Sequence, residues 1–354
     1  MARSLWEPDF DRMLTVLRLE GEPDRLPFFE LFHDLQIMER VFGRPVPQDP
    51  HEWRCYRIEF MSQLGYDYVV GYHTFHFPGG EALTADDTAL YSKGRRGWQN
   101  EHHGAIESWE DFEKYQWPRV EDAGFEDLEK LAPMLPGNMK VTATLPGGVL
   151  ENLSSIMGYE PLCFALMDDP DLVQAVVDKI GEGELAVYRV LCEMEHVGAL
   201  WLNDDLGFKT QTMIAPDDLR RFVFPWHKRL VDYAHEHGKL VMLHCCGNVS
   251  EVMDDLIDDV GIDAKHSFED VIQPVTDFKR RYGHRVATLG GIDVDILARG
   301  TEDQVRRYTR RVIEDCAPGG GWALGSGNSV ANYIPVASFL AMLDEGRNLG
   351  AYGG

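Results

Sequence analysis

Short apolar runs alternate with longer amphipathic stretches along most of the chain, a pattern that predicts parallel strands joined by crossover helices. The first apolar run is Pro27–Phe32, followed by helical sequence to Arg40. A helix over about 51–64 leads into a strand at Tyr66–Tyr72, and later runs predict strands at Lys140–Leu145, Ala199–Leu202, Lys239–Leu243, Ile262–Lys265, Arg285–Leu289 and Trp322–Leu324. From about 171 to 196, Leu172, Val173, Val176, Val177 and Ile180 recur at helical spacing. Pro216-Asp-Asp218 reads as a helix start, with proline first and acids in the first turn. Pro225 is expected to kink that helix. Thr301 opens another helix as its N-cap, and the last begins near Pro335. Between 75 and 105 an inserted hairpin is predicted, Ala89–Ser92 and Gly97–Gln99 flanking a turn-like Lys93–Arg96.

About eight strand candidates, most followed by a helix, fit a single α/β domain over 1–354. The expected fold is a (β/α)8 TIM barrel with an N-terminal extension and the inserted hairpin. An open doubly wound sheet would give a similar list, but the glycine-rich nucleotide fingerprint after the first strand is missing. In a closed barrel all strand C-termini meet at one face, where chemistry sits.

Composition narrows the function. Lys plus Arg total 34 against 59 Asp plus Glu, a net charge of −25. So acidic a surface repels phosphate backbones, which argues against nucleic acid as a partner. No run approaches the roughly 18 apolar residues of a membrane helix. The start of the chain lacks the apolar core of a secretory signal, so a cytoplasmic enzyme is expected. Six cysteines in 354 residues do not make a disulfide framework. Cys55, Cys163, Cys192 and Cys316 read as small buried hydrophobes. Cys245 and Cys246 follow a histidine at a strand end and call for another explanation.

In an extended strand residues i and i+2 face the same side. His244 and Cys246 therefore share the barrel mouth while Cys245 points away. An imidazole and a thiolate are a zinc-type donor pair; a buried histidine with two packed thiols is the alternative. Zinc needs more ligands, and Glu269, near the end of the next strand, is the candidate third ligand unless it caps the following helix. His266 beside it is a candidate catalytic or substrate-bonding group. Asn203, Asp204 and Asp205 end the preceding strand. Asp205 is the candidate base, Asn203 and Asp204 are candidate substrate contacts, and a helix-cap or turn role fits any of them. Gly147, Gly148, Ser326 and Asn328 lie in glycine-rich strand ends that let a ligand approach the backbone. Glu30, His33, Tyr72 and His73 also stand at early strand ends.

These residues resemble the uroporphyrinogen decarboxylase superfamily. The resemblance rests on Trp201–Gly207, Val241–Asn248, Gly290–Asp293, Gly325–Ser329 and Tyr333–Pro335, and covers the chain well from about 140 onward. It implies a (β/α)8 barrel and one of two activities: porphyrinogen decarboxylation, or zinc-dependent methyl transfer linked to a corrinoid. The arginine-rich N-terminal motif by which the decarboxylases hold substrate carboxylates is missing; the matching stretch is Phe28–Asp34. His244-x-Cys246 matches the methyltransferase branch, where a later cysteine completes the metal site. Here that position is Ser326, leaving His244, Cys246 and Glu269 as the implied ligands. The resemblance thus implies a methyltransferase or O-demethylase that uses zinc and a cobalamin carried by a partner corrinoid protein. A metal-free carboxy-lyase and a non-catalytic barrel binding protein are the alternatives.

Overall fold

The computed structural model describes residues 5–350 except 81, 93, 144 and 146. Lys93 of the expected turn and Pro146 of the expected strand end lie outside the described residues. The strands are β1 (Tyr68–Gly71), β2 (Ala82–Asp86), β3 (Arg95–Gln99), β4 (Lys140–Ala143), β5 (Val197–Asn203), β6 (Leu240–His244), β7 (Ala264–His266), β8 (Ala287–Leu289) and β9 (Trp322–Ala323). Seven of them form one curled parallel sheet in the order β1-β4-β5-β6-β7-β8-β9, and β2 and β3 pair separately and antiparallel. This is the α/β TIM-barrel class expected.

The eighth barrel position is held by Pro27–Glu30. On one side, Leu324 N–H donates to the Pro27 carbonyl at 2.9 Å and Phe29 N–H to the Leu324 carbonyl at 2.8 Å. On the other side a side chain replaces a ladder rung. The Tyr68 hydroxyl accepts from Glu30 N–H at 2.7 Å and donates to the Glu30 carbonyl at 2.5 Å. Pro27 has no N–H to give, so the segment pairs more sparsely than a regular strand. Inside the barrel, the buried rings of Phe29, Tyr68 and Trp201 pack with centroids 5.2–5.7 Å apart. They floor the mouth.

The N-terminal extension contributes a helix, Asp11–Leu17. Asp67, just before β1, is fully buried and accepts from Arg12 at 2.9 Å and Arg25 at 2.8 Å, tying the extension to the barrel. The hairpin differs from expectation. Its first strand is 82–86, and Ala89–Ser92 belongs to the connection, because Tyr91 is drawn onto Arg40 (3.9 Å from guanidinium to ring) and bonds through its N–H to the Asn332 carbonyl. Ahead of Pro225 the chain makes a wide π-type turn at Leu219–Val223 before the helix Phe224–Glu236, which absorbs the missing N–H. Two helices, Val149–Met157 and Tyr159–Asp168, stand where the pattern assigned none. All six cysteines are unpaired; Cys192 and Cys316 are buried as expected, whereas Cys55 and Cys163 are exposed. Among the described residues no helix is long and apolar enough to cross a membrane.

Glu184, inside the helix Pro170–Glu193, is 1% exposed. One carboxylate oxygen accepts from Asn152 at 3.1 Å and the other has no partner among the described residues. Burial, and then the charge of Asp204, raise its pKa well above 4.5. The native state therefore holds a proton that the unfolded chain releases above about 4.5, and stability falls as pH rises through that window. Glu184→Gln removes this dependence. Its melting temperature is expected to exceed that of the native protein by more at pH 8 than at pH 5 in calorimetric scans.

Candidate metal centre

Strands β5, β6 and β7 end in register, so Asn203, His244 and His266 form one rung and their side chains leave the sheet on the same side. Trp201 lies beneath both imidazoles, 6.5 Å from His244 and 5.8 Å from His266. The two Nδ1 atoms are 2.9 Å apart, so one must carry the hydrogen. With His244 Nδ1–H donating to His266, the Nε2 lone pair of His244 is directed into the mouth.

That nitrogen faces a sulfur and a carboxylate. Cys246 Sγ is 3.5 Å from His244 Nε2, and Asp205 Oδ1 is 3.8 Å from it. Asp205 Oδ1 also accepts the Cys246 N–H at 2.7 Å, which fixes the carboxylate. All three candidate ligand atoms lie within 4.8 Å of one another. Zinc at ~2.3 Å from sulfur and ~2.0–2.1 Å from nitrogen, with tetrahedral angles, sets those two atoms about 3.6 Å apart. The donor set therefore fits zinc.

The sulfur is prepared as an acceptor. Asn328 Nδ2–H donates to it at 3.2 Å and the Ser267 hydroxyl at 3.5 Å. Burial, and then the charge of Asp205, push the Cys246 thiol up to about 12. Burial lowers His244 to about 4, leaving it neutral at physiological pH. A thiol so placed ionises when a cation arrives to share the site.

Two backbone positions set this geometry. Gly247 has φ +81°, and a Cβ there would lie 1.9 Å from the Gly207 carbonyl oxygen. Only glycine lets the turn after Cys246 press against the loop that carries Asp205. Ser267 has φ +83°, a left-handed conformation costly for serine. Ser267→Gly is expected to raise stability by about 1 kcal/mol in denaturant titrations. It is also expected to weaken metal retention about 10-fold or more, since the sulfur loses a donor.

The other expected site residues divide. Asp205 and His266 stand in the centre, and Asn328 contacts its sulfur. Glu269 stands outside the cluster: the left-handed turn at Ser267 carries it to an exposed position, where its carbonyl accepts from Ile272 and Gln273. Asp205, expected as a base, is the carboxylate that lies beside His244 and Cys246, where Glu269 was expected. Asp204 is fully buried and faces away from the mouth. Its carboxylate accepts from Leu150 N–H and Glu151 N–H at 2.9 Å each and lies 2.8 Å from His227 Nε2. It caps the helix Val149–Met157 from another strand. Gly148 serves the same junction, since a Cβ there would lie 2.4 Å from Asp204 Cβ. Gly147 adjoins it with φ +79°. Asn203 Nδ2 donates to the Leu145 carbonyl at 3.2 Å. Ser326 is turned from the cluster: its N–H and hydroxyl bind the two oxygens of Glu30 at 2.7 and 2.5 Å.

The sequence did not single out Ser267 or Glu151. Burial, then the charges of Asp204 and Asp205, raise Glu151 to about 8 at the edge of the centre. An acid three residues beyond Gly148 carried a usable signal; a serine with positive φ carried none.

A family model for uroporphyrinogen decarboxylase (URO-D) matches residues 102–349. A curated relative, the uroporphyrinogen decarboxylase of Thioalkalivibrio sulfidiphilus (strain HL-EbGR7), is 25% identical over 211 residues, covering 59% of this chain and 56% of that one. The chain thus spans little more than half the length of this relative. Among solved structures, a methyltransferase from Methanosarcina mazei superposes with a TM-score of 0.70 over 95% of this chain and 97% of that chain, at 16% identity. That likeness is one of fold. The family match runs from just after the hairpin through the last helix and takes in the whole of the centre except its floor at Phe29 and Tyr68, so the chain belongs to the uroporphyrinogen decarboxylase (URO-D) family of enzymes.

Proposed function

We propose that this chain is a zinc-dependent methyltransferase of the family, moving a methyl group between a small substrate and a cobalamin carried by a separate corrinoid protein in the cytoplasm. The observation that carries the reading is the convergence of Asp205, His244 and Cys246 on one point, with two hydrogen-bond donors on the sulfur. The fold likeness to a methyltransferase supports it. Asp205, His244 and Cys246 would hold the ion and leave a fourth position for substrate. Zinc there would supply Lewis-acid chemistry, polarising a substrate oxygen or lowering the pKa of a thiol.

The chain's own residues do the rest. His266 fixes the His244 tautomer, Asn328 and Ser267 hold the sulfur, and the Cys246 N–H orients Asp205. One thiolate with a carboxylate is a harder donor set than two thiolates, which favours an oxygen substrate such as an aryl methyl ether.

The curated relative favours a second reading, a metal-free carboxy-lyase. Against it, Phe28–Asp34 offers no arginine, and Asp205 turns a carboxylate of like charge toward any polycarboxylate entering the mouth. Assaying the purified protein for methyl transfer from aryl methyl ethers to reduced cobalamin, and for release of CO2 from uroporphyrinogen, separates the two. Methyl transfer that stops on chelation and returns with zinc is expected. Decarboxylation at full rate in chelator would overturn the proposal.

A further inference from the structure

A second cavity, of about 430 Å³ with the open space at its entrance included, lies between residues 30–38, the helix Pro50–Leu64 and the end of β1. It shares no residue with the metal centre. Leu31, Met38, Met61 and Val69 make an apolar wall. Phe32, Leu35 and Tyr72 stand at its opening, 41%, 47% and 43% exposed. An apolar entrance of this kind, on a chain with a net charge of −25, is unlike the surface around it.

The cavity has one cationic lining residue, Arg57, which is 4% exposed. Its guanidinium sits 5.4 Å from the Trp53 ring centre and 5.2 Å from that of Tyr72. Nη1 donates to the Val70 carbonyl at 2.8 Å and Nη2 to Asp127 at 2.6 Å, while the buried Nε–H has no partner among the described residues. Asp127 also accepts from Arg54 at 3.1 Å and from Tyr72 N–H at 3.2 Å, so one carboxylate serves two buried guanidiniums. The other titratable groups that face Arg57 across the cavity are uncharged at neutral pH: burial raises Glu30 to about 8 and lowers His33 to about 3. The cavity therefore offers a planar cation that shares the single carboxylate of Asp127 with Arg54, two aromatic faces beside it, and no charged acid on its floor.

We propose that this cavity binds a small aromatic carboxylate, its ring against the apolar wall and its anionic group toward Arg57. A guanidinium suits a carboxylate because both are planar and the charge strengthens each hydrogen bond. The proposal is independent of the metal centre.

Benzoate is the probe, titrated calorimetrically into the full-length protein at neutral pH. Saturable binding of one benzoate per chain is expected. Benzyl alcohol, which has the ring without the charge, should bind about 10-fold more weakly. Arg57→Gln should weaken benzoate by about the same factor. Because Arg57 also braces Val70 and Asp127, Leu35→Glu at the exposed rim gives a test that leaves the buried contacts intact. It places a like charge at the entrance and should weaken benzoate while sparing benzyl alcohol. Cys246→Ala should bind benzoate as the native protein does. The proposal is overturned by an absence of saturable binding, by benzoate affinity unchanged in Leu35→Glu, or by its loss in Cys246→Ala, which would place the anion at the metal centre.

Discussion

Cys246→Ala is expected to lower zinc affinity by more than about 100-fold, beyond the 10–100-fold typical of losing an outer partner of a ligand. The fold should survive. Cys246 is only half-buried, and its backbone N–H, which anchors Asp205, is untouched by the substitution. The adjacent Cys245→Ala provides the contrast. Cys245 is fully buried, faces the other side of the strand and accepts Leu206 N–H on its sulfur at 3.4 Å. Its loss should leave metal content unchanged and reduce stability by about 1–2 kcal/mol through lost packing. Metal analysis and denaturant titration of both variants check the pair. Equal zinc in native and Cys246→Ala protein would mean that the sulfur is no ligand.

Asp204→Ala should be the most destabilising single change at the mouth, at about 1–3 kcal/mol for each buried group left without its hydrogen bond. Three groups lose their partner at once: two N–H groups at the start of the helix Val149–Met157, and His227, which is itself fully buried. Asp204→Asn keeps one acceptor oxygen and should cost less. Denaturant midpoints of the two variants, compared with the neighbouring Asp205→Asn, test this. Asp205 is part-exposed and accepts the Cys246 N–H, so its loss should spare stability and deplete zinc. If Asp204→Ala were as stable as Asp205→Asn, the division of labour between these adjacent acids would be wrong.

That division shows where sequence reading reached its end. The alternation of a strand places His244 and Cys246 on one side and Cys245 on the other, so the central pair and the barrel around it were legible. Three acids-and-amide residues in a row at the end of β5 did not say which of them faces the mouth, because the strand stops there and the pleat no longer governs direction. Glu269, the expected third ligand, is carried away from His244 and Cys246 by the left-handed turn at Ser267, which no residue pattern marks, and Asp205, expected as a base, stands beside them instead. Ser326 fits a family position for a metal-binding cysteine, yet its hydroxyl is taken by Glu30, almost 300 residues away in sequence. The two helices after β4 escaped notice for a local reason. Gly158, with φ +77°, breaks their apolar period in the middle. In the hairpin the alternation of 89–92 was real but was used by Tyr91 to grip Arg40, while the exposed 82–86 pairs through its backbone, helped by Arg95 reaching the Thr84 carbonyl and Asp86.

The most direct test of the centre is X-ray absorption at the zinc edge of the metal-loaded protein. The geometry requires one sulfur neighbour at about 2.3 Å and nitrogen or oxygen neighbours at about 2.0–2.1 Å, with the sulfur shell gone in Cys246→Ala and retained in Glu269→Gln. A zinc environment of nitrogen and oxygen alone in the native protein, or one altered by Glu269→Gln and not by Asp205→Asn, would contradict it.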